Sequence, residues 1–303
     1  MQKIQKIIVF ALMFLIGGCE KESSHFQKNL DIIVSIKPLF GLIAKVIEGT
    51  PHSLSLLFDG KTSPHTTGLT IKEAARLKQC TLFFWIGPAY ETGLIRHTDS
   101  LDQSVDLSKT PDLALLPMRT FAAQCHHDEC HDHDHGIDGH YWMNIKNAIA
   151  MVRFIAKKLS ILCPDEKGMF EKNAQKACED LMLWQEKWQK ACPSDELSYV
   201  TSHDFAQYLE DLLNIRCVGS LTGEHHGKTL NQAITRSKID FIIAEPHTRI
   251  DSYDRHKTPV IILDYLGENI TPTKDVYEKI ITTMVERVRE YTDDKGMLEL
   301  TKS

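Results

Sequence analysis

The chain has 303 residues, 35 Lys and Arg against 41 Asp and Glu, and 42% hydrophobic residues. At roughly 100–200 residues per domain, that length suggests about two domains, and the composition excludes a disordered or collagen-like chain. A formal charge of −6 argues against nucleic acid as a partner. Histidine is the outlier: six of the 15 fall between His126 and His140.

Residues 1–18 read as an export signal. Lys3 and Lys6 open it, and an apolar run from Ile7 to Ile16 follows. Such a run rises only about 15 Å as a helix, half of a hydrocarbon core of about 30 Å, so it is a signal core and not a membrane span. Ile16-Gly17-Gly18-Cys19 resembles a lipobox, which predicts cleavage before Cys19 and its acylation as a membrane anchor. The polar stretch 19–30 reads as a tether. An exported chain sits where disulfides can form, but the seven cysteines after Cys19 are odd in number and define no pairing.

From Leu30 onward short apolar runs alternate with helical patterns. Asp31–Ile36, Ser53–Phe58 and Thr81–Ile86 read as strands, the last apolar throughout as in a parallel sheet covered on both faces. Pro38–Glu48 and Ile71–Gln79 read as the helices between them; Pro suits a first turn, and Leu39, Leu42, Ile43 and Val46 share one face. Strand, helix, strand, helix predicts βαβ units. Ile145–Leu162 reads as a helix interrupted by Cys163-Pro164, and Asp165–Ala191 as a longer one. Its stripe of Phe170, Ala174, Ala177, Leu181, Trp184, Trp188 and Ala191 predicts packing across both halves of a monomer. A dimer seam would carry Leu or Ile at alternate positions. The alternation then resumes, with strands at Ser198–Thr201, Arg216–Ser220, Asp240–Ala244 and Pro259–Leu263 and helices at Asp204–Leu213, Thr229–Ser237 and Thr273–Tyr291. The expected architecture is α/β: two lobes of parallel sheet flanked by helices, 31–143 (with a His-rich loop at 125–140) and 195–303, joined by helices in 144–194.

Ligands of open α/β sheets collect beyond the carboxyl ends of strands, and several metal-ligand residues stand there. His65 follows the second strand, His140 closes the His-rich loop, His203 directly follows Tyr199-Val200-Thr201-Ser202, His247 follows Glu245-Pro246, and Asp264 follows Val260–Leu263. Three imidazoles with a carboxylate or water complete a tetrahedral zinc shell. Glu245 and Asp204 are adjacent groups able to orient the rings. The segment with His126, His127, His131, His133 and His135 is too polar to pack and suits a weak metal collector; Cys125 and Cys130 within it could pair or donate thiolates. No H-E-x-x-H, G-x-S-x-G or phosphate-binding G-x-x-x-x-G-K-[ST] is present.

Ser63-Pro64-His65, Leu82–Pro88, the acidic His-rich loop ending in Gly139-His140-Tyr141-Trp142, Ser202-His203-Asp204, Glu245-Pro246 and Leu263–Gly267 occur in this order over almost the whole chain. Together they resemble the zinc- and manganese-binding lipoproteins of bacterial ABC metal importers, the ZnuA/TroA-like solute-binding family. The resemblance implies two α/β lobes joined by a rigid long helix, metal held between them by His65, His140, His203 and Asp264, and delivery to an ABC-type membrane permease. It implies zinc as the cargo, with manganese or iron as alternatives, and no enzymatic activity. Two departures bear on the ligand set: Pro64 stands where some zinc-specific relatives carry Glu, and His247 where Gln is expected, leaving Asp264, His247 or water for the fourth position. The competing classes are a zinc-dependent exported hydrolase and a zinc-buffering metallochaperone without a membrane partner.

Overall fold

The computed structural model describes residues 29–65, 67–119, 136–190, 196–220, 239–248 and 258–300, with 292–300 described by backbone alone. The predicted helix at Thr229–Ser237, Cys19, and the collector residues His126, His127, His131, His133 and His135 lie outside them.

The chain folds into two four-stranded parallel sheets of the same order. In the first, β1 (Asp31–Val34) pairs with β2 (Ser53–Leu56) and β3 (Leu82–Trp85), and β3 pairs with β4 (Ser104–Asp106). In the second, β5 (Leu197–Thr201) pairs with β6 (Ile215–Ser220) and β7 (Phe241–Ala244), and β7 pairs with β8 (Val260–Ile262). Each sheet therefore reverses strand order once, between β1 and β3 and between β5 and β7, which opens a crevice at the carboxyl ends. The continuous apolar runs are the central strands: β3 and β7 are buried along their whole length.

Helix α1 (Lys37–Val46) carries Pro38 in its first turn and buries Leu39, Leu42, Ile43 and Val46 completely. Helix α2 (Ile71–Gln79) starts with a capping box: Thr70 Oγ1 accepts from the Glu73 amide at 3.2 Å and Glu73 Oε2 from the Thr70 amide at 2.8 Å. A short helix, α3 (Ile95–Thr98), leads into β4.

Two long helices follow the first sheet. In α4 (Ile145–Leu162) the Asn144 side chain caps the first turn, accepting from the Lys146 amide at 2.9 Å. Pro164 turns the chain through a 3-10 turn, Pro164–Glu166, into α5 (Lys167–Gln189). On α5 the predicted stripe is the buried face, with Phe170, Ala174, Ala177, Leu181 and Trp188 all at or below 5% exposed. It packs on α1, and Trp184 Nε1 donates to Thr282 Oγ1 of the last helix at 3.2 Å, so α5 touches both lobes.

The last helix, α7 (Val276–Leu300), crosses back to the first lobe and lies against α1. Gly41 permits that approach, since a Cβ there would stand 2.8 Å from the Tyr277 amide nitrogen. The Tyr277 hydroxyl donates to the Trp142 carbonyl at 2.8 Å. Among the described residues no helix is long and apolar enough to cross a membrane.

Two local expectations are corrected. The segment expected as a helix over Asp204–Leu213 is a 3-10 turn, Gln207–Leu209, followed by the single-turn α6 (Glu210–Leu213). Asp204 is drawn into an ion pair with Arg119 and Phe205 is fully buried, which holds the first residues out of helical register. Strand β4 was not expected, because its short Ser-Val-Asp sequence has no apolar run; it is an edge strand.

Candidate metal centre

Three histidines from three parts of the chain converge. His65 lies in the loop after β2, its carbonyl accepting from Thr92 Oγ1 at 2.9 Å and its ring edge-on to Tyr90. His140 immediately precedes the 3-10 turn Tyr141–Met143 that leads into α4. The turn is pinned by the Asn147 side chain, which donates to the Tyr141 carbonyl at 3.0 Å, and by the Tyr141 hydroxyl, which donates to the Ile86 carbonyl. His203 follows β5 at the strand-order reversal of the second sheet, with the Ser202 amide donating to Ile243 of neighbouring β7 at 3.0 Å.

The ring centroids of His65, His140 and His203 lie 4.9–5.1 Å apart. One nitrogen from each ring lies within 4.8 Å of the other two. His65 Nε2 and His140 Nε2 are 3.1 Å apart, close to the roughly 3.3 Å separating two nitrogens each about 2.05 Å from a tetrahedral ion. The group opens on a cavity of about 150 Å³ also lined by Arg119, Asp138 and Asp204.

Carboxylates orient two of the rings. Asp138 Oδ1 lies 2.7 Å from His140 Nδ1 and also accepts from the His140 amide at 3.0 Å. Glu245 Oε1 lies 3.3 Å from His203 Nδ1, and Glu245 Oε2 accepts from the Tyr265 hydroxyl at 3.1 Å. A proton on Nδ1 facing each carboxylate leaves the Nε2 lone pair for a metal. Burial, reinforced by His140 and His203, lowers the His65 imidazole to about 3. Burial and His203 likewise hold His140 well below the usual histidine value. Both rings are therefore neutral, ligand-competent bases at neutral pH. Burial raises the Asp138 carboxyl to about 6.

The other expected residues are placed elsewhere. Asp264 is outside the three-histidine group. Its Oδ1 accepts from the Gly267 amide at 2.8 Å and its Oδ2 from the Glu268 amide at 2.7 Å, so the carboxylate closes its own turn. His247 is also outside the group: its side chain is 74% exposed and its Nε2 lies 2.9 Å from Glu268 Oε2. Asp204 faces Arg119, whose Nε donates to Asp204 Oδ2 at 2.9 Å and whose Nη1 donates to Glu210 Oε1 at 2.6 Å. This clamp joins the chain just before the His-rich segment to the second lobe beside His203.

A second group, His52, Cys163 and Glu166, also brings ligand atoms within 4.8 Å. There His52 Nδ1 accepts from the Leu30 amide at 3.3 Å and Nε2 stands 2.8 Å from Glu166 Oε2, so both ring nitrogens already face partners within the fold. Among the described residues Cys80, Cys163, Cys178 and Cys217 are free and buried.

Sequence reasoning missed Asp138, Arg119, Tyr90 and Tyr265. Asp138 carried a usable signal, standing two residues before His140 in Asp138-Gly139-His140.

The family model for the zinc-uptake complex component A, periplasmic (ZnuA), matches residues 32–291. The chain belongs to the ZnuA family. The high-affinity zinc uptake system protein ZnuA of Brucella abortus (strain 2308) is 26% identical over 330 residues, covering 93% of this chain and 97% of that protein. The zinc-binding lipoprotein AdcA of Streptococcus pneumoniae (TIGR4) is 24% identical over 98% of this chain, which spans 62% of AdcA. Among solved structures, the periplasmic zinc-binding protein TroA of Treponema pallidum superposes with a TM-score of 0.69 at 17% identity, over 86% of this chain and 98% of TroA. In this ZnuA family member the two-lobed fold expected from the sequence is therefore the fold of the family.

Proposed function

We propose that this ZnuA family member is an extracytoplasmic solute-binding protein that captures one zinc ion between its lobes and delivers it to an ABC-type permease. The observation that carries the reading is the convergence of His65, His140 and His203, with Asp138 and Glu245 facing the Nδ1 atoms of two of the rings. Three imidazole nitrogens favour zinc over manganese or iron, which prefer more oxygen ligands. The rings fill three tetrahedral positions, and the adjoining cavity leaves the fourth to water. Asp264, in this reading, supports the site through its turn and is not a ligand.

The role is binding and delivery, not catalysis. Acylated Cys19 anchors a monomer at the membrane, 31–143 and 195–303 act as its two lobes, and the His-rich segment with His126, His127, His131, His133 and His135 collects metal weakly. The names of the Brucella and Streptococcus relatives support zinc as cargo.

Competitive titration with Zn²⁺, Mn²⁺ and Fe²⁺ tests the proposal. Wild type should bind one equivalent of zinc in preference to the other two ions. His65→Ala, His140→Ala and His203→Ala should each lose the tight site, while a variant lacking 125–135 keeps it. Tight binding that survives all three substitutions would refute the assignment.

A further inference from the structure

Lys37 is a lysine with almost no access to water: it is 4% exposed, in the first turn of α1. Its Nζ crosses from the first lobe to the second and donates to the Gly267 carbonyl at 2.6 Å and the Glu268 carbonyl at 2.8 Å. Those two residues close the turn that Asp264 holds from the other side through their amides. One peptide corner is thus gripped twice, its amides by a carboxylate of its own lobe and its carbonyls by an ammonium of the other. Gly267 makes the corner with φ of +68°, and a Cβ there would meet Ile280 Cδ1 at 2.7 Å.

The corner carries Tyr265. The Tyr265 ring stacks on Phe205 at 4.6 Å between centroids and stands edge-on to His140 at 5.5 Å. Its hydroxyl donates to Glu245 Oε2, and Glu245 Oε1 faces His203 Nδ1. A continuous path of polar contacts and one rigid ring therefore runs from an ammonium of the first lobe to an imidazole of the second.

Resting on the zinc-site reading above, we infer that Lys37 is a positioning residue for the metal: its grip on the Gly267–Glu268 corner sets Tyr265, and through Glu245 fixes the His203 ring. Zinc retention is thereby coupled to contact between the lobes. Any separation that withdraws the ammonium from the corner loosens His203, the ligand contributed by the second lobe, while His65 and His140 stay together on the first. Such a device holds zinc while the lobes are apposed and releases it when a docking partner parts them. When the lobes part, water can satisfy the freed carbonyls but does not fix where they stand, so the corner loses the restraint that two charge-assisted hydrogen bonds from Lys37 supply.

The test measures zinc dissociation from the full chain by rapid mixing with excess chelator, for wild type, Lys37→Met, Lys37→Arg, Tyr265→Phe and the Lys37→Met/Tyr265→Phe double variant. Thermal melts of the metal-free proteins and visible spectra of the Co²⁺-loaded forms accompany it. Removing a group that orients a metal ligand typically weakens binding by about 10–100-fold. Because Lys37 acts at one further remove, Lys37→Met should release zinc about tenfold faster than wild type. The expectation extends to a shifted Co²⁺ spectrum, its restoration in Lys37→Arg, and a double variant no faster than the faster single one, as contacts in series require. Tyr265→Phe carries the same prediction if Lys37→Met fails to fold. A lower melting temperature with unchanged zinc release and Co²⁺ spectrum would overturn the coupling, as would single effects that multiply in the double variant. A wild-type protein that holds no zinc would overturn both this coupling and the metal-site reading, whereas unchanged release in the variants overturns the coupling alone.

Discussion

Asp138→Asn should make the metal-free protein more stable and its zinc weaker. Asp138 is 5% exposed and its carboxyl is raised from 3.8 to about 6, mainly by burial. Between those values the unfolded chain has lost the proton while the native one keeps it, so native stability falls as pH rises through that window. At 1.36 kcal/mol per unit, the charged carboxylate costs the metal-free fold about 3 kcal/mol at pH 7. Asparagine removes the charge and still offers an oxygen to the His140 amide and Nδ1. The metal-free melting temperature at pH 7.5 should therefore rise by several degrees, and the gain should vanish near pH 4. With zinc bound the balance reverses, because the carboxylate charge polarises the His140 ring toward the cation; its loss should weaken zinc binding by about 10–100-fold. Calorimetric melts across pH 4–8 and chelator competition at pH 7.5 read the two arms. A variant that is less stable without metal and binds zinc like wild type would refute the reasoning.

Other outcomes follow from the same structure. Asp264→Asn keeps one acceptor oxygen for two amides, so it should lower the melting temperature yet weaken zinc by no more than about tenfold, far less than His140→Ala in the same titration. Gly41→Ala places a methyl 2.8 Å from the Tyr277 amide nitrogen and should cost about 1–3 kcal/mol in denaturant unfolding by forcing α1 from α7. Glu91 is fully buried and burial raises its carboxyl to about 7, so the native state is progressively destabilised as pH rises from 4.5 toward 7. The stability of Glu91→Gln relative to wild type should therefore improve by as much as about 3 kcal/mol between pH 5 and pH 8, read by chemical denaturation at each pH.

Much of the fold was legible because burial writes itself into the sequence. Thr81–Ile86 could be read as a central strand from its unbroken apolar run, and the α5 stripe from its helical spacing, since both are consequences of the faces they cover. Strand β4 was not legible: three residues at a sheet edge need no apolar run. The start of the Asp204–Leu213 segment misled because local pattern carries no record of Arg119, 85 residues away, drawing Asp204 out of a helix. At the candidate metal centre, residue type and position, after a strand for His65 and His203 and at the close of the His-rich loop for His140, singled out three rings that the structure brings together. The same reasoning nominated Asp264 and His247, which stand at equivalent places after strands. What separates them is the direction in which each side chain is drawn: Asp264 toward two amides of its own turn, His247 toward Glu268 and solvent. Such directions are set by close contacts that a linear pattern does not encode.

Zinc K-edge X-ray absorption on the protein loaded with one equivalent tests the central claim most directly. Convergence of His65, His140 and His203 predicts a first shell of nitrogen and oxygen at about 2.0–2.1 Å with the outer scattering of three imidazoles. Sulfur scatterers at about 2.3 Å, or fewer than two imidazoles in the wild type, would place the ion elsewhere and contradict the account.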